Sequence, residues 1–405
     1  MIQKIIHNIL KRRHFWRVAT FSEIAELYAS RMLRMIALSM ASAFLSVYLY
    51  QNGYSVAMIS LYWMVYFLFK TVTALPVAAI AAWIGPKHGI FVSNLLFIPA
   101  TVAYALLPEV GFWAFPVAIF FQGLSTTLYA QSHNIDFSSV KSIDHAGKEL
   151  AYMNIIEKFT TSVSPLVGGV LALLFGPQFV LALASIIFVF AALPLFRTSE
   201  PTLRHQKLDF SGFPWHLIKG KVFPQLAIGF DIFTSGTVWW LFTTITIIGI
   251  QTNNEVYATN GLLLSVILFA AIGSSYAFGK VIDRKKGLNL LRVSIIFDSL
   301  THFMRPFITT PVAIAGLNIS NEAATTGYVM AYNRGIFDDA DISGKRVLYL
   351  GIIDMISSFG AALAAGVLYV LLGWFDDIQS MEYIFYITAA IVLLIATARF
   401  PLYRK

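Results

Sequence analysis

The sequence predicts an all-α polytopic membrane protein, with twelve transmembrane helices arranged as two six-helix repeats. Three observations predict it. The chain is 58% hydrophobic and only 12% charged, where soluble domains carry about 25% charged residues. Its apolar residues fall in runs of about twenty or more, the length that crosses a hydrocarbon core of about 30 Å. The third observation is a repeat at about half the chain length. Residues 147–159, GKELAYMNIIEKF, return as GKRVLYLGIIDMI at 344–356, a shift of 197 that sets Gly147 and Lys148 on Gly344 and Lys345, Tyr152 on Tyr349, and Glu157 on Asp354. TTLY at 126–129 returns as TTGY at 325–328, and Gly89 returns as Gly287.

In chain order, residues 1–31 come first. Ile2, Ile5, Ile6, Ile9 and Leu10 form a helical stripe opposite Lys4, Lys11, Arg12 and Arg13. No apolar h-region follows, so the segment reads as a cytoplasmic amphipathic helix on the membrane surface rather than a signal peptide. Spans at 32–51, 56–83, 89–107, 112–133, 149–174 and 178–196 make a first bundle over 32–196. A polar linker, 197–221, leads to spans at 222–250, 256–279, 288–308, 311–332, 346–373 and 380–400, a second bundle over 222–400, and a short tail, 401–405.

Charge placement tests this threading. The loops after even-numbered spans, the linker and the termini hold nearly all the Lys and Arg, among them Lys87, Lys141, Arg204, Lys207, Lys219, Arg284, Lys285, Lys286, Lys345 and Arg346. The alternate loops carry Glu109, Glu255, Asp376, Asp377 and Glu382. Such one-sided basic charge predicts a multi-pass protein of the cytoplasmic (inner) membrane with both termini in the cytoplasm. An even number of spans per half gives two parallel repeats about an axis along the membrane normal. The net charge of +8 therefore belongs to topology and the lipid surface, not to nucleic acid.

Several motifs resemble those of the major facilitator superfamily, over the whole chain. GKVIDRKKG, with Gly279, Asp283, Arg284 and Gly287, is similar to the family's signature between the second and third helices of a half; WIGPKHG is its remnant in the first half. SPLVGG in span five, with Pro165, Gly168 and Gly169, is similar to the end of the antiporter motif. Gln122 and Gly123 match the fourth helix, while Ile119 stands where the family has a functional arginine. The resemblance implies a secondary transporter, working as a monomer by rocking of two halves about a central cavity bordered by helices seven and ten.

Each motif also has a physical reading. Asp283 can accept from backbone N–H groups at a helix start while Arg284 and the lysines face anionic headgroups, latching neighbouring helix ends; a merely topogenic loop is the alternative. Pro165 removes a backbone hydrogen bond, and Gly168 and Gly169 permit close helix approach, giving either a bendable segment or ordinary tight packing.

Charges at membrane depth are the sharper signal, since each costs about 3 kcal/mol or more unless paired or wet. They are Lys70, Glu157, Lys158, Asp231, Asp298, His302, Arg305, Glu322 and Asp354. Glu157 and Asp354 sit nine residues beyond the repeated lysine, about 13 Å along a helix and so near mid-depth. Asp298, His302 and Arg305 share one helical face, as a structural charge cluster or a proton relay, with Lys70 and Lys158 as further members of the charged set. Asp231 and Glu322 have no basic residue within a turn, so each must find a partner on another helix, take a proton or meet a cationic substrate. Asp231, Glu322, Glu157 and Asp354 are the candidate substrate-binding or proton-coupling residues. Glu157 and Asp354 can alternatively pair with Lys158, Lys70 or the basic helix ends as gate salt bridges.

Trp63, Tyr66, Trp239 and Trp240 either line an apolar cavity or act as packing and interfacial side chains. Cysteine is absent, which excludes disulfides and thiolate metal sites. No HExxH, GxSxG or Walker loop occurs, so neither an enzyme, a metal site nor a cofactor is expected. The sequence thus predicts a secondary active transporter whose partners are a small solute, protons or another coupling ion, and the bilayer. Proton-coupled export of an amphipathic or cationic compound is the leading reading. Nutrient uptake or lipid flipping is the alternative within transport, and a non-transporting membrane receptor or assembly partner the alternative outside it.

Overall fold

A computed structural model describes residues 21–42, 45–140, 146–197, 199, 205–248, 262–263, 268–283 and 286–403. The amphipathic stripe before residue 21, the loop bases Lys141, Arg204, Arg284 and Lys285, and most of the first part of span eight lie outside the described residues. The helices are α1 (Phe21–Ser42, continued by Leu45–Gln51), α2 (Val56–Ile84), α3 (Pro86–Ala105), α4 (Ala114–Val140), α5 (Ala146–Phe175), α6 (Pro177–Phe190), α7 (Val222–Phe233, continued to Ile248), α8 (Leu268–Asp283), α9 (Gly287–Met304), α10 (Pro311–Ile342), α11 (Arg346–Leu371) and α12 (Asp377–Val392). Among the described residues nine helices are long and apolar enough to cross a membrane. α8, α9 and α10 are not among the nine; Asp298, His302, Arg305 and Glu322 fall in or at the end of α9 and α10.

Helix starts follow from local chemistry. Ser55 accepts from the Met58 N–H at 3.2 Å, and Thr310 and Asp376 cap α10 and α12 in the same way, each satisfying a donor that the first turn leaves orphaned. Prolines 86, 177 and 311 occupy the first helical turn, where the missing N–H has no intrahelical partner to lose.

α1 departs from the expected boundaries. It begins at Phe21 and runs through residue 31 without a break, so Phe21–Arg31 is continuous with the first span rather than part of a separate surface segment. Arg31 consequently lies ten residues into the helix, about 15 Å from its start.

The two bundles meet along α2 and α11 and along α5 and α8. Ser60 donates to the Ala365 carbonyl at 2.8 Å near one end of the first seam, and Gly351 packs on Ala78 near the other. Asn154 donates to Ser275 at 2.8 Å in the second. Two apolar clusters sort by position along the helices. Tyr48, Tyr62, Tyr104, Phe233, Trp239 and Phe385 belong to the cluster at the end away from the linker, while Phe137, Leu150, Leu217, Phe337 and Tyr349 belong to the one at the linker end.

The linker straps the bundles together. His205 and Gln206 donate backbone N–H groups to Trp83 and Ala82 at the end of α2. Lys345, at the repeated Gly-Lys turn, grips the Asp209 carboxylate at 2.6 Å and the Ser211 carbonyl. That hydrogen bond from Lys345 holds Asp209 well below the usual carboxylate range. Arg346 crosses to Ser139 at 2.7 Å, and Lys221 pairs with Asp339.

Candidate functional site

Among the described residues, two polar groups hold most of the expected site residues. The first surrounds a cavity of about 210 Å³ between the halves, bordered by Arg31, His133, Glu157, Lys158, Thr326 and Phe337 among others, from α1, α4, α5 and α10. Here Arg31 clasps Glu157, with Nε 3.2 Å from Oε2 and an Nη on the same oxygen, and its other Nη reaches the Tyr129 hydroxyl at 3.4 Å. Lys158, one residue on, bridges to Glu322 of the second half at 3.0 Å. Consecutive positions on α5 thus serve two partners: Glu157 ties α5 to its own bundle, and Lys158 ties it to the other.

Behind Tyr129 stands Arg34, 1% exposed. Its guanidinium lies 3.9 Å from the Tyr129 ring centre and donates to Ser93, Asn94 and Ser125. All of these partners are neutral. His133 continues the stack, its ring facing Tyr129 on one side and Phe137 on the other, and its Nε2 has no hydrogen-bond partner.

The second group is closed and lies wholly within the second half. Asp231 on α7 accepts from His302 Nε2 at 2.8 Å, from Ser235 at 2.7 Å and from the Tyr328 hydroxyl. Arg305 reaches His302 Nδ1 at 2.9 Å and Ser235 at 2.9 Å, with the rings of Trp239 and Phe385 beside it. Asp298 accepts a long hydrogen bond from Thr325, at 3.5 Å, and its Oδ2 lies 3.9 Å from His302 Nε2 with no hydrogen-bond partner among the described residues. Asp298 and His302 are fully buried. α7 turns π-helical at Thr234–Val238, three residues beyond Asp231. Such widened turns accompany functional sites, and this one contains Ser235.

Hydrogen-bond direction fixes the histidine. A guanidinium only donates, so His302 Nδ1 must accept, the imidazole is neutral, and its proton on Nε2 goes to Asp231. Asp231, Asp298 and His302 are close enough to ligate one metal ion. The donor set argues against it: the nitrogen that would bind carries the proton donated to Asp231, and Arg305 brings a fixed positive charge.

The expected residues therefore separate. Asp231 joins Asp298, His302 and Arg305; Glu322 joins Lys158; Glu157 joins Arg31. The carboxylates without basic neighbours along the chain have found partners on other helices. Asp354 stands apart and accepts from Gln131 across the interface at 3.3 Å. Lys70 belongs to neither group and lies 5.9 Å from the rings of Tyr66 and Phe67. Pro165 sits in an uninterrupted α5, and Gly168 faces Met40 of α1 at ordinary contact distance; Gly169 is buried. Gly279 is buried on α8, Asp283 ends that helix partly buried, and Gly287 gives room to the Tyr403 ring. Arg284 lies outside the described residues. Gln122 accepts from Tyr62 and Tyr104, Gly123 admits Phe69, and Ile119 lines an apolar groove on the outer face of α2 and α4.

Sequence reasoning missed Arg31, Arg34, His133, Tyr129 and Tyr328. Arg31 fell just before the assumed start of the first span, and Arg34 lay inside that span unremarked. Their i, i+3 spacing with apolar residues continuing on both sides was the available signal that both lie within the helix.

Comparison with known proteins gives three further findings. A family model described as Major Facilitator Superfamily matches residues 27–340. No curated protein matches the sequence. Solved structures similar in fold include FucP, a Major Facilitator Superfamily transporter in the outward conformation (12% identity, 92% of this chain and 97% of that one, TM-score 0.67). The human organic anion transporter MFSD10 (12%, 93% and 98%, 0.68) and a bacterial homologue of the iron transporter ferroportin in an outward-facing state (14%, 93% and 98%, 0.65) are also similar.

Proposed function

We propose, from the premise that this chain belongs to the Major Facilitator Superfamily and is a secondary transporter working by alternating access, that it moves a small charged or amphipathic solute coupled to protons. The solute enters the cavity between the halves, and the coupling proton resides in the buried group on α7, α9 and α10. One observation carries the proton reading. Asp231 and Asp298 are two carboxylates sharing a single fixed cation, Arg305, because His302 is held neutral between Arg305 and Asp231. A buried group of two acids and one cation reaches neutrality by holding one proton, and an unpaired charge at this depth is expensive. Asp231 is satisfied by three donors, whereas Asp298 has one weak contact. The proton therefore sits on Asp298, beside Thr325, which reaches its carboxyl, and Thr301, which donates to its backbone carbonyl.

Lys158 and Glu322 form the lock between the halves. Rocking must part them, so each must be neutralised by something else when they separate. Export against an inward proton flux is the direction supported by the antiporter-like stretch from Ser164 to Gly169. Glu157 and Glu322, the carboxylates nearest the cavity, are both paired with first-half cations in this conformation, which leaves neither open to a cationic cargo.

Infrared difference spectroscopy of the purified protein tests the proton site without needing the solute. A carboxylic-acid C=O band present in the wild type at neutral pH should vanish in Asp298→Asn and persist in Asp354→Asn. A wild-type spectrum with no such band, or one unchanged by Asp298→Asn, rules out Asp298 as the proton carrier.

A further inference from the structure

We infer that the cavity between the halves binds the anionic group of a small organic acid, and that this anion takes the place of Glu322 on Lys158; the inference rests on the transport reading above and specifies its substrate class.

The charges around the cavity are unequal between the halves. From the first half come Arg31, Lys158 and, one ring behind, Arg34, against a single carboxylate, Glu157. The second half supplies Glu322 and otherwise neutral groups such as Thr325, Thr326 and Asn333. Among the described residues, no carboxylate hydrogen-bonds to Arg34 or is among the main groups acting on it electrostatically. A buried cation without a counterion raises the positive potential of everything near it, since a low-dielectric wall screens it poorly. Tyr129 passes that influence on by contact, with Arg34 at its face and Arg31 at its hydroxyl.

A second observation points to a ligand. His133 borders the cavity, is 6% exposed, and has an Nε2 with no hydrogen-bond partner. A buried polar atom left unpaired costs about 1–3 kcal/mol, and an acceptor oxygen in the cavity would remove that cost. The imidazole would donate from Nε2 to that oxygen, while Arg31 and Lys158 supply charge. Leu150, Met153, Val329 and Phe337 add apolar surface to the cavity lining. At about 210 Å³ the cavity is smaller than the roughly 300–1,000 Å³ of drug-sized sites. The ligand is thus a compact anion with an apolar end.

Exchange of carboxylates on Lys158 gives binding a mechanical consequence. Glu322 holds the second half to the first through Lys158. An incoming anion that satisfies Lys158 from within the cavity releases Glu322, and the halves can part without exposing an unpaired lysine.

The test uses the full-length purified protein and thermal stability with matched probes: benzenesulfonate, benzoate, benzamide and benzylamine, with butanoate, butyramide and butylamine as an aliphatic set. The anions should raise the melting temperature and the amides and amines should not. His133→Phe, which keeps the stacked ring and removes the donor, should weaken anion binding about tenfold. Glu322→Gln should strengthen it about tenfold by removing the competitor for Lys158; a misfolded variant cannot give that gain. Stabilisation by the amines, no stabilisation by any anion, or weaker anion binding in Glu322→Gln overturns the inference. The infrared band of Asp298 is independent of these outcomes, so the proton reading and the anion reading fail separately.

Discussion

In the first half, Arg34 on α1 stacks over Tyr129 on α4; in the second, Asp231 on α7 takes a hydrogen bond from Tyr328 on α10. Positions 34 and 231 are 197 apart and positions 129 and 328 are 199 apart, the spacings of the internal repeat. One tyrosine position thus meets a cation through its ring in one copy and an anion through its hydroxyl in the other. The scaffold was duplicated and its charge was not. The first half keeps a cation without a counterion beside the cavity; the second encloses two carboxylates, a neutral histidine and one arginine away from it. On this reading the first half holds the solute and the second holds the proton.

The sharpest way to break that contrast is to remove the buried arginine from each half. Arg305→Gln leaves Asp231 and Asp298 without their cation and should destabilise the protein by about 3–5 kcal/mol. Arg34→Gln removes a charge that no carboxylate needs and should cost only about 1–2 kcal/mol, the worth of its hydrogen bonds. Chemical unfolding in detergent measures both, and equal losses would contradict the asymmetry.

Individual glycines on α7 and α5 also differ in how closely they are packed. A Cβ on Gly229 of α7 would fall 1.9 Å from the Ser357 carbonyl oxygen of α11, and one on Gly360 would fall 2.1 Å from that of Leu226. Backbone cannot give way as a side chain can. On α5 of the first half, a Cβ on Gly168 meets only Met40, at 3.4 Å. Gly229→Ala should therefore cost about 1–3 kcal/mol, and Gly168→Ala close to nothing, as read by melting temperature.

The smallest effect belongs to the linker clamp. Lys345→Ala should leave global stability within about 0.5 kcal/mol, yet speed protease cleavage between His205 and Gly212. Because Asp209 is held below its ordinary value by Lys345, the clamp is fully formed above the unfolded carboxylate pKa of about 3.9 and is lost only as pH falls through the lower folded value. Cleavage at pH 5 and pH 7 should then match in the wild type, measured with a protease active at both.

Much of the architecture was legible because it rests on composition and repetition. Apolar runs, one-sided loop charge and the Gly-Lys copies at 147 and 344 lead to paired helical bundles without any knowledge of contacts. The site was legible in part. Asp298, His302 and Arg305 sit at i, i+4 and i+7, so their grouping follows from helical geometry alone. That Asp231 completes the group depends on how α7 crosses α9, which no local spacing encodes. Arg31 was hidden by a span start placed at residue 32, although the helix already runs from Phe21, and Arg34, inside that span, was passed over. His133 was silent because a lone histidine on an apolar helix has no signature until its ring is found stacked and its Nε2 unpaired.

The most direct test of the division of labour is a comparison of two transport modes in proteoliposomes, using an anion that stabilises the purified protein. Asp298→Asn should keep solute exchange between equal concentrations, which needs no net proton movement, and lose accumulation driven by a pH gradient. Arg31→Gln should lose both. Loss of exchange in Asp298→Asn, or gradient-driven accumulation that survives it, would contradict the assignment of solute and proton to separate halves.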